Sequence, residues 1–305
     1  MQQLIGFEAI SQQLLQQFWQ EKLPHAIILA GNKGIGKATF ATQFAHHIDA
    51  ETKIISRQAN KTVITIDQIR EMQDFLQQNS IAKQQKILII DSICNLNKTA
   101  SNALLKPLEE PINNTFLILI AHQLSKVLPT ILSRCRLIKI PALNFANFCQ
   151  VIQQNNQSTV FLPTELEFLS CVSENSPAIA LQYGKNLLAF YQLWLESLLQ
   201  NHFQTKLNKF ILQKDFDFMI FEMIIYHFLT SWLKFKINFK INGNFKINGN
   251  NRYFFAEQQV FASLNLHISQ IIDLQEFINA RLTAIKTFHL DKKLAILNIF
   301  NKILS

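Results

Sequence analysis

The chain has 305 residues, 49% of them hydrophobic and 16% charged, which excludes a largely disordered polymer and supplies enough chain for two or three cores. The net charge of +8 invites a nucleic-acid reading, but it divides into 15 Lys and Arg against 10 Asp and Glu over residues 1–140 and 14 against 11 beyond; so even a spread does not by itself mark a binding face. The four cysteines, Cys94, Cys135, Cys149 and Cys171, form no CxxC pair, which excludes a secreted disulfide framework and predicts reduced thiols in the cytoplasm.

The opening MQQLIGFEAI lacks a basic stretch followed by an apolar one, so no secretory signal is expected. From there to residue 140, short apolar runs alternate with amphipathic stretches, the pattern of a parallel sheet covered by helices. Five strands are predicted, at 26–30, 53–56, 86–91, 115–121 and 137–140. Between the second and third, Ile66, Ile69, Met72 and Leu76 recur at helical spacing, placing one helical face on the sheet.

The first strand runs into Gly31-Asn32-Lys33-Gly34-Ile35-Gly36-Lys37, followed by a helical stretch through Ile48. This is GxxxxGK in a strand–loop–helix setting, the phosphate loop, in which glycines let backbone N–H groups converge on an anion and Lys37 reaches the phosphates. The hydroxyl expected next, for magnesium, is missing: the position holds Ala38. Thr39 stands one step on, about 100° round the helix, and is a poor substitute. The acid expected at the end of a later apolar strand is Asp91, which would serve the site or merely cap the following turn. A serine, Ser92, follows it. Nucleotide would therefore be held weakly and cleaved poorly.

Pro107 falls within a predicted helix, where it removes a backbone donor and favours a kink. His46 and His47 read as a helix-surface pair, and no four-ligand zinc site can be assembled from these residues. Beyond Pro141 strand signals fade and helices dominate, divided here into a small helical domain at 141–200 and a larger one at 201–305. The most apolar stretch, 223–233, is too short to cross a bilayer. FKINGN occurs in tandem at 239–244 and 245–250 within the basic segment 234–252. Its Asn-Gly pairs and alternating Phe and Ile suit a surface insertion, with a short hairpin or a basic-aromatic nucleic-acid patch as the other readings.

Several stretches resemble the AAA+ clamp-loader family of the bacterial DNA polymerase III holoenzyme: LPHAIILAGNKGIGKATF (23–40), ITIDQIRE (64–71), NALLKPLEEP (102–111) and LPTILSRC (128–135). They occur in family order and cover most of residues 4–140; Ser176-Pro177 and LDKKLAILNIF extend the likeness loosely. The resemblance implies an α/β phosphate-loop domain with a parallel five-stranded sheet, followed by an all-α lid and an all-α collar. It implies a hetero-pentameric ring with motor and delta subunits, a sliding clamp and primed DNA as partners, a cytoplasmic location and no membrane.

It also assigns roles. Gly31, Gly34, Gly36, Lys37, Thr39 and Asp91 would form a degenerate site for ATP or ADP with magnesium. Arg134, from composition alone a surface or ion-paired arginine, would be an arginine finger reaching a neighbour's nucleotide. Ala38 and Ser92, with Ala121 and Ile179 at two positions that sense nucleotide in the family, set the chain apart from the motor subunits. The expected role is an assembly subunit that is not catalytic alone. A working ATPase and a DNA-binding module built on the repeat are the alternatives. Some members carry a cysteine-rich zinc module before IDQIRE; residues 47–65 hold no cysteine.

Overall fold

The computed structural model describes residues 4–58, 63–77, 85–155, 160–214, 216–242, 252–264, 266–288 and 290–305. Packing divides the chain into two compact units, Met1–Val151 with Ser176–Ala178, and Ile152–Asn175 with Ile179–Ser305.

In the first unit, α1 (Glu8–Trp19) precedes β1 (Ala26–Ala30), α2 (Lys37–His47), β2 (Glu51–Ile55), α3 (Ile66–Gln77), β3 (Lys86–Ile90), α4 (Lys98–Glu109), β4 (Thr115–Ala121), the short α5 (Pro129–Leu132), β5 (Arg136–Lys139) and most of α6 (Phe145–Asn155). The five strands form one sheet in the order β2-β3-β4-β1-β5, every pair parallel. The second strand begins two residues before its predicted start, because Glu51 is already in register with Lys86.

β1 and β3 are buried along their whole length, as a sheet covered on both faces requires. Alternate residues serve opposite layers. Ile28, Leu88, Leu117 and Leu119 pack with Ile69, Met72, Ala100, Leu104 and Ile131. Ile27, Leu29, Ile87, Ile89, Ile118 and Ile120 pack with Phe7, Leu14, Phe40 and Phe44. Because β1 lies between β4 and β5, its exit loop opens at the carboxyl edge of the sheet, where strand order reverses; ligands of open parallel sheets bind at such places.

α4 accommodates Pro107 inside its last turns. A proline there withholds the N–H that would reach the carbonyl four residues back, at Ala103. Gln73 of α3 supplies the replacement, its Nε2 donating to the Ala103 oxygen at 3.2 Å. The residue that looked out of place in the sequence is thus compensated from the neighbouring helix.

The second unit contains the end of α6, α7 (Pro163–Val172), α8 (Pro177–Leu199) from Ile179 onward, α9 (Thr205–Ile211), α10 (Phe218–Asn242), α11 (Arg252–Leu264), α12 (Ile268–Phe288) and α13 (Lys292–Leu304). Residue 200, where a lid was expected to end, falls just after α8 with both sides in this unit. Trp194 is buried among Phe190, Phe221, Phe228 and Phe300. Phe168 stacks on Tyr191 and Tyr253. Their polar partner is Glu257, which is 4% exposed and accepts from the Tyr191 hydroxyl and pairs with His227 at 3.0 Å.

Two expectations change here. Residues 234–242, read as the start of an insertion or hairpin, are the last turns of α10; no Gly or Pro interrupts the helix before Gly243. The second FKINGN copy lies outside the described residues. The apolar stretch is also longer than 223–233: Phe218–Ile237 is long and apolar enough to cross a membrane by length and composition. Its Phe221, Ile224, Ile225, Phe228, Leu229 and Trp232 are fully or nearly fully buried, as in the core helix of a helical domain.

Candidate functional site

β1 delivers the chain to Gly31, whose N–H bonds to the Ala121 oxygen at 3.2 Å. A side chain has no room there, since a Cβ would stand 2.6 Å from the carbonyl oxygen of Ile140. Gly34 and Gly36 adopt φ of +81° and +104°, a region glycine enters without steric cost. Gly36 caps α2, so the loop ends on a helix N-terminus, where backbone donors and the helix dipole favour an anion.

Lys37, the first residue of α2, is 3% exposed. Its Nζ donates back to the carbonyl oxygens of Gly31 and Asn32, at 2.7 and 2.6 Å. Burial lowers its pKa to about 8, against the opposing influence of Asp91 and then Cys94. Ala38 packs against the apolar layer beside α2, while Thr39 is exposed, so the structure does not turn Thr39 toward the buried face that holds Lys37. From β3, Asp91 anchors its backbone N–H to the Ile55 oxygen at 2.8 Å.

Ser92 takes φ +71° and ψ +63°, rare for a residue other than glycine. Its Oγ lies 2.8 Å from His122 Nε2. His122 follows β4 directly, one residue beyond Ala121. Ala121 pairs with Ala30 inside the sheet, and the next residue is the one that meets Ser92. Burial first, then the charge of Lys37, lowers the His122 pKa to about 4, with Asp91 opposing. At neutral pH the ring is therefore uncharged, and its Nε2 can accept the Ser92 proton. The signal available in the sequence was a polar residue immediately after an apolar strand run.

The residues present suit phosphate better than magnesium. Lys37 and the loop N–H groups offer donors to an anion, whereas Ala38 has no hydroxyl for a cation and Ser92 is engaged with His122. Among the described residues no three His, Cys, Asp or Glu side chains stand together as a metal-binding group. Ala178 of α8 donates its N–H to the Gly34 oxygen at 3.2 Å, which brings the Ser176-Pro177 segment against the loop.

Arg134 lies elsewhere, between α5 and β5. Its Nη1 donates to the Thr130 oxygen at 2.9 Å and approaches Ser133 Oγ at 3.4 Å. Its Nη2 pairs with Glu109 Oε1 at 2.6 Å. Among the described residues it contacts neither Lys37 nor Asp91. Within this chain it is thus an ion-paired arginine, as composition alone suggests.

A protein-family profile described as DNA polymerase III, delta subunit, matches residues 49–144. A DNA polymerase III subunit delta' of Pseudomonas aeruginosa is 31% identical over 135 residues, 36% of this chain and 41% of that protein. These matches are consistent with the DNA polymerase III clamp-loader family. A gamma subunit of Buchnera aphidicola is 29% identical over 162 residues, 46% of this chain and 45% of its own. The tau subunit of Bacillus subtilis is 30% identical over 154 residues, 44% and 27%. The matches thus span less than half the length of these clamp-loader relatives. The backbone also resembles a gamma subunit-related protein of Thermotoga maritima, with a TM-score of 0.47 at 17% identity and 98% of each chain covered.

Proposed function

We propose that this chain is the delta-prime-type member of a cytoplasmic clamp loader, a subunit that assembles with motor and delta subunits to place a sliding clamp on primed DNA without turning over ATP itself. Residues 1–140 would be its AAA+ domain, 141–200 its lid and 201–305 its collar. The observation that carries the reading is Ser92, hydrogen-bonded to His122 at 2.8 Å where working relatives place a carboxylate. With Ala38 beside Lys37, the edge of the sheet keeps donors for phosphate and the Asp91 carboxylate, but lacks the hydroxyl that would help bind magnesium and the second carboxylate that would polarise water.

Its catalytic contribution is made in trans. Arg134 would extend its planar, permanently charged fork to a neighbour's nucleotide and stabilise charge on the phosphoryl oxygens. In the reconstituted ring, Arg134→Ala should leave assembly intact, lower DNA- and clamp-stimulated ATPase partially and depress clamp loading further, with Arg134→Lys failing to restore it. Wild-type ATPase and loading by an assembled Arg134→Ala ring would end the finger reading. The retained Lys37 and Asp91 favour a second reading, a working ATPase. Turnover by the isolated chain that is abolished by Lys37→Ala would establish that reading instead.

A further inference from the structure

We infer that Glu109 is a positioning residue for Arg134, presenting the guanidinium in a fixed attitude; the inference rests on the finger reading of Arg134. Arg134 carries four side-chain torsions, and a half-exposed arginine left to itself samples many rotamers. Here two groups from different elements hold it. The Glu109 carboxylate stands 2.6 Å from Nη2, and the Thr130 carbonyl accepts from Nη1 at 2.9 Å. Both bonds are charge-assisted. Among the described residues the Nε–H and one Nη2–H are left without a partner, and these donors remain for phosphate oxygens.

A carboxylate can position an arginine only if its own backbone is held. Glu109 is the last residue of α4, and helix ends fray unless their orphan carbonyls find donors. Three contacts prevent that. Gln73 serves the Ala103 oxygen that Pro107 leaves open, at 3.2 Å. The Glu110 N–H closes on the Lys106 oxygen at 2.9 Å. His25 Nε2 bonds to the Leu108 oxygen at 3.1 Å, one residue before Glu109. His25 itself is tied to the sheet, its carbonyl accepting from Leu117 N at 2.7 Å. The sheet, the end of α4 and the arginine therefore form one connected series, with Glu109 as its last link. A surface ion pair without this support would contribute little.

The test uses the reconstituted ring with ATP, primed DNA and clamp. The readout is the part of the stimulated ATPase that Arg134→Ala removes. Glu109→Gln should lower that part about two- to fivefold at saturating ATP, the range expected of a partly exposed charged pair, while KM for ATP stays within about twofold. Glu109→Asp should retain more than Glu109→Ala. On an Arg134→Ala background, Glu109→Gln should cause no further loss, because its effect passes through the arginine. If Arg134→Ala lowers activity but Glu109→Gln is silent, or adds to it in full, the positioning role is overturned and the finger stands. If Arg134→Ala is itself silent, the finger reading falls and takes the positioning role with it.

Discussion

Acid should destabilise the first unit through His122, by an amount the site geometry sets. The ring bonds to Ser92 at 2.8 Å, and burial first, then the charge of Lys37, lowers its pKa from the ordinary 6.5 to about 4. Below pH 6.5 the unfolded chain therefore binds a proton that the folded site refuses until about pH 4. Unfolding takes up that proton, and stability falls as the pH drops through this window. Relative to pH 7, this one group sets an upper bound on the loss of about 2 kcal/mol at pH 5 and about 3 kcal/mol at pH 4, which solvent screening of the partly exposed ring reduces. His122→Gln offers Ser92 an acceptor but does not titrate. It should cost stability at pH 7, where the native ring is neutral and bonded, and should lose less than the wild type on acidification. Lys37→Met should shrink the window from below, since removing the ammonium lets His122 accept a proton more readily. The assay is urea denaturation at several pH values, combined with hydrogen exchange of the β3 and β4 amides. Parallel pH profiles for wild type and His122→Gln would refute the reasoning.

Two further perturbations test the packing. Gln73→Ala should destabilise the first unit by about 1 kcal/mol by leaving the Ala103 oxygen unpaired, yet cost close to nothing on a Pro107→Ala background, where the helix recovers its own donor; equal costs in both backgrounds, measured by chemical denaturation, would disprove the compensation. Glu257→Ala should cost about 2–4 kcal/mol in the second unit, because the buried Tyr191 hydroxyl loses its acceptor and His227 its partner, whereas Glu257→Gln keeps an oxygen and should cost about half as much. Thermal melts showing no difference between the two substitutions would count against that account.

Much of the first unit was readable because its signals are local. A strand buried on both faces must be a short continuous apolar run, and each central strand is one. Gly31, Gly34 and Gly36 announce backbone that a side chain would obstruct or strain, and the structure gives each its reason in contact distance or positive φ. The second unit offered less. Its helices carry apolar residues on most sides, so spacing does not say which face meets which neighbour. The alternating Phe and Ile of residues 234–242 imitated a strand pattern. Their helical state follows from continuity with α10, which no breaker interrupts, and periodicity over so short a segment cannot express that.

What the sequence determined by itself, then, is the set of elements with a hard steric or periodic signature: a parallel sheet and a glycine loop opening a helix, with Ala38 rather than a hydroxyl residue after Lys37. Tertiary structure decided everything that depends on distance between remote positions. It placed His122 rather than Ala121 opposite Ser92, because strand register assigns which residue is the last inside the sheet. It supplied Gln73 for the carbonyl that Pro107 orphans, and it joined Glu109 to Arg134. The physical reason is the same in each case. A hydrogen bond or ion pair needs donor and acceptor within about 3 Å, and chain order carries no record of which distant residues folding will bring that close.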